Sequence, residues 1–476
     1  MRLAWGLFTG AVGVAWSFLP GSPALAQGDT SPSLLAPVAA GGETATRTAS
    51  AVNTGRSRRV QTHAGLLTGL DPGRGTRVHL PLFDDATFDV VVDRTAVMGV
   101  GTQAWYGRLV GVPLGTVTMV VHQGLFAAAI HAGGRGTFDV LPRPDGTGVV
   151  RELVADDLPS CGGALTDGAA PSAARSADAA TDKPQAGSGG VETSFVPSLP
   201  VCDDGTVIDL LVVYTQDALA AAGDVATMNA RINLAVADTN DAFVRSLINT
   251  SVRLVHTQQV LYTESGDADI DAPRLVNPSD GYLDDVHPLR DQYGADCVSL
   301  WVKTFSAGGI GYFPHPSWTG VGASGFTIVR QDTAGGLVLA HELGHNLWCA
   351  HDRANAPDPP FAEYSYGYRE PGGAWHDIMA YPPGFLIPYF ANPDVNYPGP
   401  INPGPTGVPV GDPLPCDIAL TSNETRSCVA ILRSPGGAGR PAVLHGRSSA
   451  PSGGDGLSWA TAFNDIQRAL CRAGGS

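Results

Sequence analysis

Along the 476-residue chain the period of the hydrophobic positions changes, and the changes divide it. From about Thr62 to Cys161, short Val-, Phe- and Thr-rich runs such as 86–92 and 115–121 alternate with Gly, Pro and Asp turns, which predicts a small antiparallel β domain. Residues 162–200 are rich in Ala, Gly, Ser, Asp and Pro with no hydrophobic period; such a segment cannot offset the entropy of ordering and reads as a flexible linker. The continuous apolar run at 207–214 then predicts a buried central strand. Directly after it, Met228, Ile232, Val236, Phe243 and Leu247 recur at helical spacing, as one long amphipathic helix covering a sheet requires. Strands are expected at 250–256 and 296–303, with a helix between Gly281 and Tyr293, and two more short runs at 308–312 and 325–329. A further helix should start near Gly336, capped by Asp332 or Thr333, and end by Cys349. The order is that of an α/β domain.

Residues 341–351 of that last helix read HELGHNLWCAH. Side chains four apart share a helix face, so His341 and His345 project side by side with Glu342 next to them. His351 follows six positions later, three to finish a turn and three to return. Three neutral imidazoles leave the fourth tetrahedral position of one zinc ion to water, whose pKa the metal lowers to about 7, and Glu342 is placed to take its proton. This is chemistry for hydrolysing an amide. The bland reading is a buried helix whose histidines are satisfied core groups.

The string HELGHNLWCAHD, including Asp352, resembles the reprolysin-like (adamalysin) branch of the metzincin zinc peptidases, and DIMAY at 377–381 resembles the metzincin Met-turn. The resemblance covers about 201–435. It implies an α/β (α+β) metzincin-type catalytic domain: a twisted, mostly parallel sheet with an antiparallel edge strand, a long active-site helix and a Met-turn. It also implies His341, His345 and His351 as ligands of one catalytic Zn2+, Glu342 as general base, and Met379 as an apolar floor beneath them. Gly309, Ile310, Gly311 and Tyr312 match the family's edge strand, which offers unpaired backbone groups to an extended peptide. Tyr381 matches the position at which astacins and serralysins supply a phenol as an extra ligand, although reprolysins lack it. Residues 382–390 should wall the pocket beside the zinc. One position departs from the family. Trp348 stands where a glycine normally lets the helix end in a left-handed residue and swings the third histidine back. A side chain in that conformation costs about 1 to 2 kcal/mol, less than a lost ligand, so His351 is expected to reach the metal.

Two other functional readings follow from the same residues. If Trp348 spoils the third ligand, the domain is a catalytically degenerate binding protein. A zinc hydrolase of another clan would instead draw its last ligand from Glu363 or Glu370, amid Pro- and Gly-rich surroundings that disfavour the helix such a ligand needs. Upstream, RVHLPLFDDATFDVVVDR and AWYGRLVG resemble pro-regions of reprolysin-like domains, which makes 27–161 a β-rich pro-region; a lectin-like binding module is the alternative. LPSCGG at 158–163 resembles a cysteine switch, in which the Cys161 thiolate occupies the zinc. A Cys161–Cys202 disulfide bracketing the linker competes with it. Cleavage of the exposed linker would activate such a zymogen.

Composition narrows the partners. With 43% hydrophobic and 16% charged residues the chain is globular, and 45 acidic against 29 basic residues argue against nucleic acid or an anionic membrane as partner; the protein or peptide substrate is what the peptidase resemblance implies. Residues 1–26 carry Arg2, an uncharged run over 3–19, Pro20-Gly21 and Ala24-Leu25-Ala26, as a secretory signal peptide does, with an uncleaved anchor as the alternative, so a secreted, periplasmic or cell-surface protein is expected. The next most apolar run, 118–130, is interrupted by His122 and Gln123 and does not span a membrane. Seven cysteines in an exported chain point to disulfides with one thiol left over; Cys416–Cys428 is the expected local pair, and Cys297–Cys349 would tie a core strand to the active-site helix. Calcium sites and oligomeric state stay open. Residues 436–476 resemble the opening segment of a right-handed β-helix domain but are too few to bury a core.

Overall fold

The computed structural model describes residues 31–38, 54–72, 75–154, 207–313, 325–356, 360–433 and 449. The proposed signal peptide, the linker with Cys161 and Cys202, and the β-helix-like tail, apart from Ser449, lie outside the described residues. The fold belongs to one compact unit, Pro32–Ser476.

Nine strands make the N-terminal sheet: β1 (Leu35–Pro37), β2 (Thr54–Thr62), β3 (Arg77–Phe83), β4 (Ala86–Gly99), β5 (Thr102–Leu109), β6 (Thr116–His122), β7 (Leu125–His131), β8 (Thr137–Pro142) and β9 (Thr147–Leu153). Their spatial order is β1-β2-β9-β8-β7-β6-β5-β4-β3, every pairing antiparallel. The two ends meet: Leu34 donates its N–H to His79 O (3.0 Å) and His79 donates to Pro32 O (2.9 Å), so the sheet curls into a barrel. Alternation explains the curl. Trp105, Val117, Met119, Phe126, Ala128 and Ile130 fill the inside, while their neighbours Tyr106, Val120, Ala127 and Ala129 are buried on the outside against the next domain.

That domain is a mixed α/β fold. It contains β10 (Val207–Thr215), α1 (Gln216–Ala222), α2 (Val225–Arg245), β11 (Ser251–Val260), α3 (Ala268–Val276), α4 (Val286–Tyr293), β12 (Cys297–Val302), β13 (Gly309–Gly311), β14 (Phe326–Arg330) and α5 (Val338–Asn346). The sheet order is β11-β10-β12-β14-β13, parallel except for β13, which runs antiparallel to β14 at the end of the sheet. Small pieces follow: β15 (Ala350–Asp352), β16 (Tyr366–Gly367), β17 (Trp375–His376) and β18 (Phe385–Leu386), then, further along the chain, a helix we label α6 (Ile418–Val429).

Several expectations change. The active-site helix α5 has nine residues and the long helix is α2, with 21. Leu247 lies beyond α2 at φ +59 and is exposed, because the helix closes when Ile248 N–H turns back to Phe243 O (2.9 Å). The cap foreseen for α5 is absent: its first flanking residue is Leu337 at φ +60, Thr333 Oγ1 donates to Arg330 O (2.8 Å), and Asp332 pairs with Arg330. Helix α3 was not foreseen, since Pro273 inside it reads as a breaker; Asp267 caps it by accepting from Asp269 N–H (2.9 Å).

Neither expected disulfide forms, and none is seen among the described residues. Cys297, Cys349 and Cys416 are free thiols. Helix α6 separates Cys416 from Cys428, and at about 1.5 Å per residue it holds them roughly 15 Å apart, twice the reach of a disulfide. The Cys349 Sγ lies 3.4 Å from Ser422 Oγ instead, in surroundings that push its thiol up to about 12.

Candidate metal centre

The end of α5 aims the third histidine. Leu343 O accepts from Leu347 N–H (2.9 Å), His345 O from Trp348 N–H (2.9 Å) and Gly344 O from Cys349 N–H (3.0 Å). This is a Schellman closure, and it needs a left-handed residue one place after the cap. Trp348 fills that place at φ +70. Its indole meets the Phe361 ring edge-on at 4.8 Å, which offsets part of the cost of the conformation. The chain then reverses through β15 and brings His351 back over the helix.

His351 Nε2 lies 3.1 Å from His341 Nε2 and 3.0 Å from His345 Nε2. The other ring nitrogens are already engaged: His341 Nδ1 with Ile378 O (2.7 Å), His345 Nδ1 with Cys349 O (2.9 Å) and His351 Nδ1 with Asn355 O (3.4 Å). A carbonyl only accepts, so each Nδ1 carries the hydrogen and each Nε2 presents a lone pair. Three lone pairs facing one another at this range repel unless a cation sits between them. For nitrogen ligands at about 2.05 Å from a tetrahedral zinc the ligand spacing is about 3.3 Å, close to what is found. Among the described residues these three form the one group of His, Cys, Asp or Glu side chains placed so that it could hold a metal ion.

Electrostatics agree. Burial, then the neighbouring His351, push His341 down to about 3; burial pushes His351 down to about 4; His345 is held well below its ordinary value by burial and by the other two rings. All three rings are therefore neutral at any pH near 7, as metal ligands must be. The residues suit a divalent metal ion.

Glu342, buried, stands against the edge strand: a Cβ on Gly309 would fall 2.6 Å from Glu342 Oε1, so the glycine lets β13 and the carboxylate come together. Asn346 Nδ2 donates to Tyr312 O (2.8 Å) and fixes the end of that strand to α5. Gly344 leaves the room that Met379 uses. A Cβ there would lie 2.5 Å from Met379 Sδ, and Met379 is fully buried. The Tyr381 hydroxyl sits 3.2 Å from His351 Nε2, and its ring stacks parallel to His341 at 6.3 Å.

Two aspartates hold this frame. Asp352 accepts from Tyr381 N–H (3.1 Å), from Asn355 Nδ2 (2.8 Å) and from Arg369 (2.9 Å), tying the His351 loop to Tyr381. Asp377, buried, accepts from the N–H groups of Ala380 and Ala391 (both 2.8 Å), which counter the upward push of burial on its carboxyl. In the sequence both stand only as parts of motifs. A short carboxylate flanking a turn of small residues is the usual signal for such a role. Glu370, one alternative ligand, accepts instead from Gly372 N–H (2.8 Å) and Ala374 N–H (3.0 Å) within its own turn.

Residues 205–403 match the metallo-peptidase family M12B, reprolysin-like, and this stretch is a reprolysin-like metallopeptidase domain. Among curated proteins the chain is similar to four called peptidyl-Asp metalloendopeptidase. That of Stenotrophomonas maltophilia (strain R551-3) is 34% identical over 236 residues, 48% of this chain and 52% of the relative. That of Xanthomonas campestris pv. campestris is 32% identical over 262 residues (51% and 58%), and that of Pseudomonas aeruginosa 30% over 280 (52% and 43%). The chain thus spans about half the length of the curated relatives it matches.

Proposed function

We propose that this protein is an exported zinc endopeptidase made as a zymogen, with His341, His345 and His351 as the metal ligands. The observation that carries the reading is the convergence of three Nε2 lone pairs, that of His351 lying 3.1 Å from His341 and 3.0 Å from His345, each imidazole fixed through Nδ1 by a carbonyl. Zinc bound there supplies a Lewis acid that polarises the scissile carbonyl and lowers the pKa of water. Glu342 removes the proton of the attacking water and passes it to the departing amine nitrogen. The substrate lies antiparallel along Gly309, Ile310, Gly311 and Tyr312, its main chain adding a strand to the terminal edge of the sheet. The Tyr381 hydroxyl donates a hydrogen bond to the oxyanion, for which its position beside His351 speaks. Met379 supports the ligands from below. The names of the relatives make peptides containing Asp the first substrates to try.

Export rests on residues 1–26, and latency on the linker and on Cys161 as a thiolate ligand that opening of the linker withdraws. No helix among the described residues is long and apolar enough to cross a membrane. The test is Glu342→Ala, assayed after linker cleavage. The variant should keep its zinc and fold while peptide hydrolysis falls by roughly 10² to 10⁴. Hydrolysis at the parent rate would rule out the mechanism.

A further inference from the structure

Helix α2 is buried on two sides. One side covers the α/β sheet; the other meets the outer face of the barrel, where Ala104, Tyr106, Val120, Ala127, Ala129 and Leu141 belong to the same continuous apolar cluster as Met228, Ile232 and Val236 of α2 and Leu339 and Leu343 of α5. A helix bounding a free-standing domain keeps a polar outer stripe. Here two buried acidic residues of α2, Asp238 and Asp241, take partners from the barrel. Asp238 accepts from Thr118 Oγ1 (2.7 Å) and meets His131 Nε2 (2.8 Å), and Asp241 pairs with Arg94, whose guanidinium lies 3.6 Å over the Tyr106 ring. Ahead of α5, Arg151 pairs with Asp139 and donates to Asp332 O (2.6 Å). An apolar centre crossed by buried ion pairs is the make-up of a lasting interface rather than of a surface meant to be uncovered.

The barrel also reaches the segment behind the methionine turn. The Phe385 ring packs on the Gly133–Arg135 turn, close enough that a Cβ on Gly133 or Gly134 would be 3.5 Å from it. Leu114 packs on the cluster of Trp375, Ile387, Tyr389 and Tyr397. Tyr389 O in turn accepts from Ile378 N–H (2.9 Å), and Ile378 O is the acceptor that holds His341 Nδ1. With all this in place His341 is still partly exposed.

We propose that the barrel is a permanent, non-covalently held half of the working protein: cutting the linker leaves it docked on α2, where Leu114 and the 133–135 turn brace the pocket wall at 385–389. The association does not depend on the peptidase reading; only the bracing of a working pocket does. A full chain carrying Glu342→Ala, to prevent self-digestion, and a single engineered protease site within 162–200 is cut to completion, then examined by native mass spectrometry and gel filtration. The two pieces should remain a 1:1 complex at ordinary salt and in 1 M NaCl. Ala129→Arg, which puts a charge on the outer face of the barrel, should release them once the linker is cut, by weakening the complex at least tenfold. Separation of the parent pieces in native buffer would overturn the proposal. In the chain with Glu342 intact, peptide hydrolysis should co-elute with the complex, and activity confined to barrel-free fractions would overturn it equally. Pieces that stay together without any hydrolysis leave the association standing and remove the peptidase reading.

Discussion

Trp348 shows what a single residue can cost without changing chemistry. At φ +70 its Cβ is strained by about 1 to 2 kcal/mol, yet both closing hydrogen bonds of the helix end form and His351 arrives within 3.1 Å of both other rings. Trp348→Gly should therefore bind zinc as tightly as the parent or more so in a competition titration, while its stability changes by no more than about 1 kcal/mol, because the contact with Phe361 is lost as the strain is relieved. Zinc binding weakened tenfold or more would mean that the indole positions the ligand. The histidines themselves predict a pH dependence. Folded His341 and His351 take up protons only near pH 3 and 4, whereas in the unfolded chain they do so near 6.5. The unfolded state thus binds more protons below 6.5, and the stability these rings contribute is complete above 6.5 and lost as pH falls toward 4 and then 3. Denaturant midpoints of the metal-free protein should be flat above pH 6.5 and drop between 6.5 and 4, with a shallower drop in His351→Gln; equal slopes would show that these rings are not buried neutral.

At the scale of elements, α5 works because glycine brings three structures to one place. Met379 Sδ occupies the space a Cβ of Gly344 would take, and Glu342 does the same at Gly309. Gly344→Ala should raise helix propensity yet displace Met379, lowering zinc affinity and the melting temperature together; a more stable protein with unchanged zinc would remove Met379 as a support. Elements with one strong signal were legible in the sequence: β10 and β12 are continuous apolar runs, and the ligand spacing needs only local geometry. The ends of helices were less so. Leu247 has the period of α2 but sits past its close, and the start of α5 has no side-chain cap because tertiary contacts of the 331–337 turn replace it. Proline hid α3, and cysteine content in a chain read as exported suggested a cross-link that the length of α6 forbids.

The whole molecule is organised by α2, which the barrel and the α/β sheet share. Sequence periodicity marked α2 as covering one surface. That it covers two was readable only in retrospect, from Asp238 and Asp241 standing among its apolar positions, and the barrel's closing contacts between Leu34 and His79 join residues too far apart in the chain for any local pattern to show. The proposed peptidase depends most on its three-histidine centre. Metal analysis of the linker-cut protein, alongside hydrolysis of an Asp-containing peptide before and after chelation and zinc return, tests it most directly. One zinc per chain, activity lost with the chelator and restored by zinc, and neither zinc nor activity in His351→Ala is the predicted result. Stoichiometric zinc with no peptide hydrolysis, or hydrolysis that survives His351→Ala, would contradict it.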